Sequence, residues 1–358
     1  MSKPHHTLPP ATEHALSSLS DVYGQAGLGP ADLDYYSTSD WFENLAANCL
    51  QPTERAAVFA CGEMVLPMRI GPTALGPLRG VTARGLSNFY SCRFTPAGLE
   101  QSTNAPAELA AIGQHLSQQG IATLWFDALD EGPKDLMVQG LEQAGWLVEP
   151  FAQFGNWYLD VSSLDFDTYW QDRPGAHRNT GQRRYRALIE RGDGRAVCFA
   201  AADEAEAAIA AYEGVYARSW QPAEPFPDYM PGLVRKGLTA GEVQVWSLFV
   251  GDVAVAAQVW VRRHSQATIF KLAYDQDWGK QSVGTVLTMA AMKSALADPT
   301  VAEIDLGWGD DAYKQQWRPN RRQRYGIAAY NPRSLLGLAK AGRSILPRKL
   351  KALMGRKA

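Results

Sequence analysis

The residues best able to do chemistry lie between Lys271 and Trp317. An apolar run ending in Lys271, Leu272, Ala273, Tyr274 and Asp275 feeds a polar loop over residues 276–285, and helical periodicity begins there. The first amides of a helix have no intrahelical partner and sit at the positive end of its dipole. Such a helix start therefore suits a phosphate or pyrophosphate. Gly284 would let such a group approach the main chain closely. A second apolar run, residues 303–306, stops at Gly307-Trp308-Gly309-Asp310-Asp311, and a short helical stretch over 312–317 carries Tyr313 and Lys314. Each of these residues also has a plain structural reading. The loop can be an ordinary strand-to-helix turn and Asp305 a buried, hydrogen-bonded carboxylate. Asp310 can be a helix cap and Tyr313 a packing group.

A second chemical feature is the arginine run Arg178, Arg183, Arg184, Arg186, Arg191 and Arg195. It reads equally as a solvated helix face or as a seat for an anionic ligand. His177 and His264 are isolated, and no second His or Cys stands at ligand spacing, which argues against a metal or a triad. The four cysteines, Cys49, Cys61, Cys92 and Cys198, are scattered without a C-x-x-C pair, which excludes a cysteine zinc site and favours a reducing, cytoplasmic setting.

These residues need a scaffold. The 358 residues are 46% hydrophobic and 20% charged, ordinary for a globular protein of about two domains. No apolar run reaches the length of a spanning helix, and the start lacks a signal-peptide pattern. The net charge of -2 is uneven: after Asp311 there are 13 basic and no acidic residues, leaving 22 basic and 37 acidic up to and including it. Such an end invites an anionic partner. A solvated tail over 333–358, weak docking on an anionic membrane at the inner face, and nucleic acid are the candidates.

Residues 1–34 read as a loose lead-in, and 41–50 as a short helix capped by Ser39 or Asp40. Strands are expected at 56–60 and 64–70, joined at Cys61-Gly62-Glu63, then at 87–94, 121–126, 146–148 and 157–161, with helices at 107–118 and 134–144. The second half repeats this order. It has an Arg-rich helix over 165–191, a strand at 196–200 and a helix at 204–220. Strands at 243–250 and 253–261 turn at Gly251-Asp252, and 267–274 pairs back on them. A helix at 286–296 and strands at 303–306 and 325–330 follow. The fold class is thus α+β, with mostly antiparallel sheets flanked by helices, in two units over 35–164 and 165–332.

The order of three antiparallel strands, a loop-helix, a strand and a short helix resembles the GNAT acyltransferase fold. The strings KLAYD, SVGTVL and DLGWGDDAYKQQW, with RNTGQRRYRALIERG and YYSTSDWFENL before them, resemble the CelD/FemAB-like branch, which carries two GNAT-like units in one chain. The resemblance covers about residues 35–330. It implies an acyl-CoA pyrophosphate on a Q/R-x-x-G-x-G/A loop, here Gln281, Ser282, Val283, Gly284 and Thr285. Gln281 and Gly284 match that pattern, while Val286 replaces the final small residue. The first half has no comparable loop, so the donor site is expected in the second half alone.

The mechanism the resemblance implies is direct acyl transfer. The strands ending at Asp275 and Leu306 should splay, letting the pantetheine arm of acetyl-CoA or another acyl-CoA pair along Leu272–Tyr274. Asp310, with Asp305 and Asp275 as second choices, would take the acceptor proton, and Tyr313 would protonate the leaving thiolate. Lys271, Asp275, Arg183, Arg184 and Lys314 would meet the acceptor, an amine or hydroxyl on a small molecule, a saccharide or a cell-envelope precursor. An aminoacyl-tRNA donor is the alternative within the branch. A degenerate pair serving as a binding or assembly protein is the alternative outside it. No metal is expected.

Overall fold

The structure is a computed structural model describing residues 8–317 and 319–354, with side chains described as far as residue 345. Arg318, Arg356 and Lys357 of the basic run, and residues 1–7 of the lead-in, lie outside the described residues. The chain divides into two compact units: residues 1–154 with 323–358, and residues 155–322.

The first unit opens with β1 (Thr12–His14), α1 (Leu19–Gln25) and α2 (Ser39–Cys49), followed by β2 (Arg55–Cys61), β3 (Met64–Leu75) and β4 (Leu78–Gly85). The chain continues through α3 (Ala105–Gln118), β5 (Ile121–Leu129), α4 (Glu131–Gln143) and β6 (Leu147–Asp160), and β6 carries it from one unit into the other. The described part of the lead-in, residues 8–34, is not loose. β1 pairs with β2, and Leu19, Val22, Tyr23, Leu28 and Leu33 are buried. Helix α2 is capped by Thr38, whose Oγ1 accepts from the Trp41 amide, one residue earlier than expected.

The second unit holds α5 (Phe166–Gln171), α6 (Gly175–Tyr185), β7 (Gly194–Phe199), α7 (Ala205–Ala217) and α8 (Tyr229–Ala240). After these come β8 (Val243–Val250), β9 (Val253–Arg263), β10 (Gln266–Tyr274), α9 (Val283–Ala297) and β11 (Glu303–Asp305). Its strand order is β7-β8-β9-β10-β11, with the end of β6 beyond β11. All neighbours are antiparallel except β10 and β11, which run parallel. Helix α9 buries Val283, Val286, Leu287 and Met292 in a cluster with Ile269 and Ile304, with Leu272 and Tyr274 packed at its margin. This cluster fixes the start of α9 beside the end of β10.

The chain then returns to the first unit through β12 (Asn320–Tyr330), which pairs antiparallel with β5, and α10 (Leu335–Met354). Residues 323–332, assigned by sequence to the second unit, thus serve the first. The expected solvated tail is helical, and Leu336 and Ala341 are buried. The Arg-rich helix is interrupted: α5 ends before Pro174, and α6 passes into a π-helical turn at Arg186–Glu190.

Candidate active site

The geometry begins with two parallel strands that part. β10 and β11 are in register only at Gln266↔Glu303, Ala267↔Ile304 and Thr268↔Asp305. β11 ends there, and the Leu306 amide turns to the Trp157 carbonyl on β6, at 2.8 Å. β10 continues to Tyr274, paired on its other side with β9. β11 thus does not extend along β10 beyond Thr268, as the expected splay requires. The parting is set by Gly307, with φ +76°, where a Cβ would lie 2.5 Å from the Ile269 carbonyl oxygen. Only glycine permits that approach and that dihedral together. A β-bulge between Ile269 and Lys271 falls at the same level.

Past Tyr274, Asp275 caps a 3-10 turn, Gln276–Gln281, by accepting the Asp277 amide at 3.0 Å. Arg218 Nε holds the other carboxylate oxygen at 2.7 Å. Asp275 is buried and committed to this turn, so the structure gives it a positioning role instead of a contact with substrate. Ser282 then adopts a left-handed conformation, φ +57°, and α9 starts at Val283 with no side-chain cap. The amides of its first turn are thereby open. The Tyr274 ring shields Gly284, where an added Cβ would meet Cδ1 at 3.2 Å. Val286, the departure from the loop pattern, points into the core and not toward the first-turn amides.

A cavity of about 410 Å³ lies at this helix start, lined by Pro174, Ala176, His177, Thr180, Gly181, Ser282, Thr285 and Gln316. The first turns of α6 and α9 meet in it. The lining has no carboxylate and two hydroxyls at its α9 side, so it suits an anion. His177 Nε2 is buried there without a hydrogen-bond partner. Burial, with the Arg173 charge adding to it, pulls the imidazole below its ordinary pKa against an opposing hydrogen bond with Gln316. Its ring stands edge-on to Trp317, with centroids 4.9 Å apart. In the sequence His177 stands isolated, with no partner at metal or triad spacing, and only the fold brings it to the cavity.

The expected catalytic trio is placed differently from one another. Asp305 is buried, with Oδ1 accepting from Asn156 and the Gly307 amide at 2.8 and 2.7 Å and Oδ2 from Arg322 at 2.7 Å. Arg322 also grips Glu303 with two hydrogen bonds and Asn156 with a third. Asp305 therefore holds the turn after β11, with both carboxylate oxygens engaged by structural donors. Asp310 forms a two-pronged pair with Arg321 at 3.2 and 2.6 Å, which keeps its carboxyl below the usual carboxylate range and makes it a weak base. Tyr313 is 42% exposed, yet desolvation and then the Asp311 charge raise its phenol pKa, so it stays protonated. Lys314, expected to meet a phosphate or the acceptor, is buried. Its Nζ donates to the carbonyls of Trp308 and Gly309 at 2.7 and 3.1 Å and lies 3.4 Å from that of Gly307.

Two residues near the opening escaped the sequence reading. Glu224, in the loop between α7 and α8, accepts from Lys271 Nζ at 2.7 Å. Tyr216 on α7 lies under the same ammonium, 5.8 Å from its ring centroid. Burial and then Glu224 push the Tyr216 phenol up to about 12. Trp220, in the same loop, packs on Tyr274 with centroids 4.3 Å apart. Arg183 and Arg184 sit late in α6. Among the described residues, neither they nor Arg186 and Arg191 form a carboxylate ion pair.

Residues 175–315 match the acetyltransferase (GNAT) domain family. Among solved structures, the chain is similar to FemX, at 8% identity and TM-score 0.59, over 90% of this chain and 97% of that one. It is also similar to L-PGS from Bacillus licheniformis, at 12% identity and TM-score 0.51, over 89% and 93%. A third is the C-terminal domain of an Agrobacterium fabrum protein described as a lysylphosphatidylglycerol synthetase, at 12% and 0.54, over 93% and 98%. No curated protein matches the chain significantly. The fold is the tandem GNAT, FemAB-like fold, and the second unit carries the GNAT domain. Among the described residues no cluster of His, Cys, Asp and Glu could hold a metal, and no helix is long and apolar enough to cross a membrane.

Proposed function

We propose that the second unit transfers an acyl group, acetyl in the first instance, from acyl-CoA to an amine or hydroxyl acceptor such as a saccharide or cell-envelope precursor. The observation that carries this reading is the parting of β10 from β11 beyond Thr268↔Asp305, together with the carboxylate-free cavity at the start of α9. The amides of Val283, Gly284 and Thr285 and the hydroxyls of Ser282 and Thr285 would hold the donor phosphates, with exposed Lys280 beside them. The open edge at Leu272–Tyr274 offers hydrogen bonds to the amides of the donor arm. Calorimetric titration with acetyl-CoA tests the reading. Binding is expected, and Gly284→Val, which pushes Tyr274 and fills the approach to the amides, should weaken it at least tenfold. A wild-type protein that takes up no acetyl-CoA refutes this donor.

One observation favours a second donor. Among the described residues, Arg183, Arg184, Arg186 and Arg191 present four cations without a carboxylate ion pair, and the resemblance of the sequence to the CelD/FemAB-like branch allows aminoacyl-tRNA as donor. Binding of aminoacyl-tRNA that weakens steeply with salt, together with no acetyl-CoA binding, would select it.

A further inference from the structure

The acceptor must lose a proton during transfer, and the carboxylates around the opening differ in their freedom to take it. Asp275, Asp305 and Asp310 are each held by an arginine: Arg218, Arg322 and Arg321. A guanidinium stays charged throughout the working pH range and exchanges no proton with its partner. Glu224 is held instead by a lysine, a compact point charge on a flexible stem that does not clamp a carboxylate in the two-pronged way a guanidinium can.

The pair also faces the right way. Strict alternation would put Lys271 on the same face of β10 as Ile269. The bulge between them shifts the alternation by one, so Ile269, Leu272 and Tyr274 pack with α9 while Lys271 turns to the α7 side. The anion-seating cavity lies at the α9 start. The Lys271–Glu224 pair thus stands on the opposite face of the sheet, within a few residues of the level where β10 and β11 part. A donor reaching through the opening from one face would meet its acceptor on the other. The loop carrying Glu224 is anchored there: Tyr216 donates to the Pro222 carbonyl at 2.9 Å, and Gln276 Nε2 to that of Ser219 at 3.0 Å.

We propose that Glu224, oriented by Lys271, takes the proton of the acceptor nucleophile on the α7 side of the β10–β11 opening. The assignment rests on the acyl-transfer reading above. The nucleophile's lone pair forms the new bond to the acyl carbon, and its proton passes to the Glu224 carboxylate. The carbon–carrier bond breaks with its electrons on the carrier atom. That atom takes up one proton, and Glu224 returns the one it took, so protons balance over the cycle. Lys271 is a positioning residue that acts through Glu224.

The test uses the full chain, with thiol release from acetyl-CoA in the presence of glucosamine as the probe acceptor, and the same variants with alanyl-tRNA as donor. Glu224→Gln should lower kcat about 10²- to 10⁴-fold, the usual worth of a general base, while acetyl-CoA affinity stays within about twofold. Glu224→Asp keeps the charge and should retain part of the rate. Lys271→Met should lower kcat more than it raises KM, and Lys271→Arg, which gives Glu224 the kind of partner that holds the three aspartates, should lower kcat as well. Active wild-type protein whose Glu224→Gln and Glu224→Asp variants both turn over at the wild-type rate overturns this assignment alone. Wild-type protein that turns over neither donor overturns the acyl-transfer reading and this assignment with it.

Discussion

At the scale of single residues, the site is held together by cations that the sequence shows but whose targets it hides. Lys314 and Arg322 read as members of a basic run, yet each ends on the turn after β11. Lys314 satisfies carbonyls that burial would otherwise leave without donors, so Lys314→Met should cost about 2 kcal/mol of stability in urea unfolding. It should also lower turnover by loosening the turn. Glu224 was not legible because its partner Lys271 lies 47 positions away and nothing local marks the loop. Asp305 and Asp310 were visible as carboxylates at a strand end. Only the fold brings up Arg322 and Arg321, which hold them in ion pairs.

At the scale of elements, the hairpins and the helix start were legible because glycines and periodicity mark them. Gly62 and Gly251 sit in the turns joining β2 to β3 and β8 to β9. The β10 bulge left no trace in the sequence, since Lys271 reads as one polar residue in an apolar run. Helix α8 was missed, its Pro231 and Gly232 reading as loop although the proline lies in the first turn, where its lack of an N–H costs nothing. The strands expected at 146–148 and 157–161 are the two ends of β6, whose partly exposed middle breaks the apolar pattern. The expected strand at 87–94 is irregular, and β4 lies before it. The opening itself depends on Gly307. Gly307→Ala forces a left-handed alanine and a contact with the Ile269 carbonyl, so unfolding free energy should fall by more than about 1 kcal/mol. Acetyl-CoA affinity, read by calorimetry, should fall with it as the two strands shift.

At the scale of the whole molecule, charge separates the two donor readings. Phosphate held by helix amides is a short-range contact, whereas a polyanion gathered by unpaired arginines depends on released counterions. Arg183→Gln with Arg184→Gln should therefore leave acetyl-CoA binding within about twofold by calorimetry. Under the tRNA reading, the same double variant should flatten the slope of log affinity against log salt by about 1.5. The fold class was legible because alternation and helix periods recur along both halves. The division of the chain was not, because it depends on which strand β12 joins.

That division has a consequence for biosynthesis. The second unit is an insertion within the first, and β12 occupies the place between β5 and β6. A nascent chain emerging from the ribosome would expose the flank of β5 throughout translation of the inserted segment. The unit that begins first is the one that finishes last, so a truncation before residue 330 would strand an unfinished sheet as a target for chaperones and proteases.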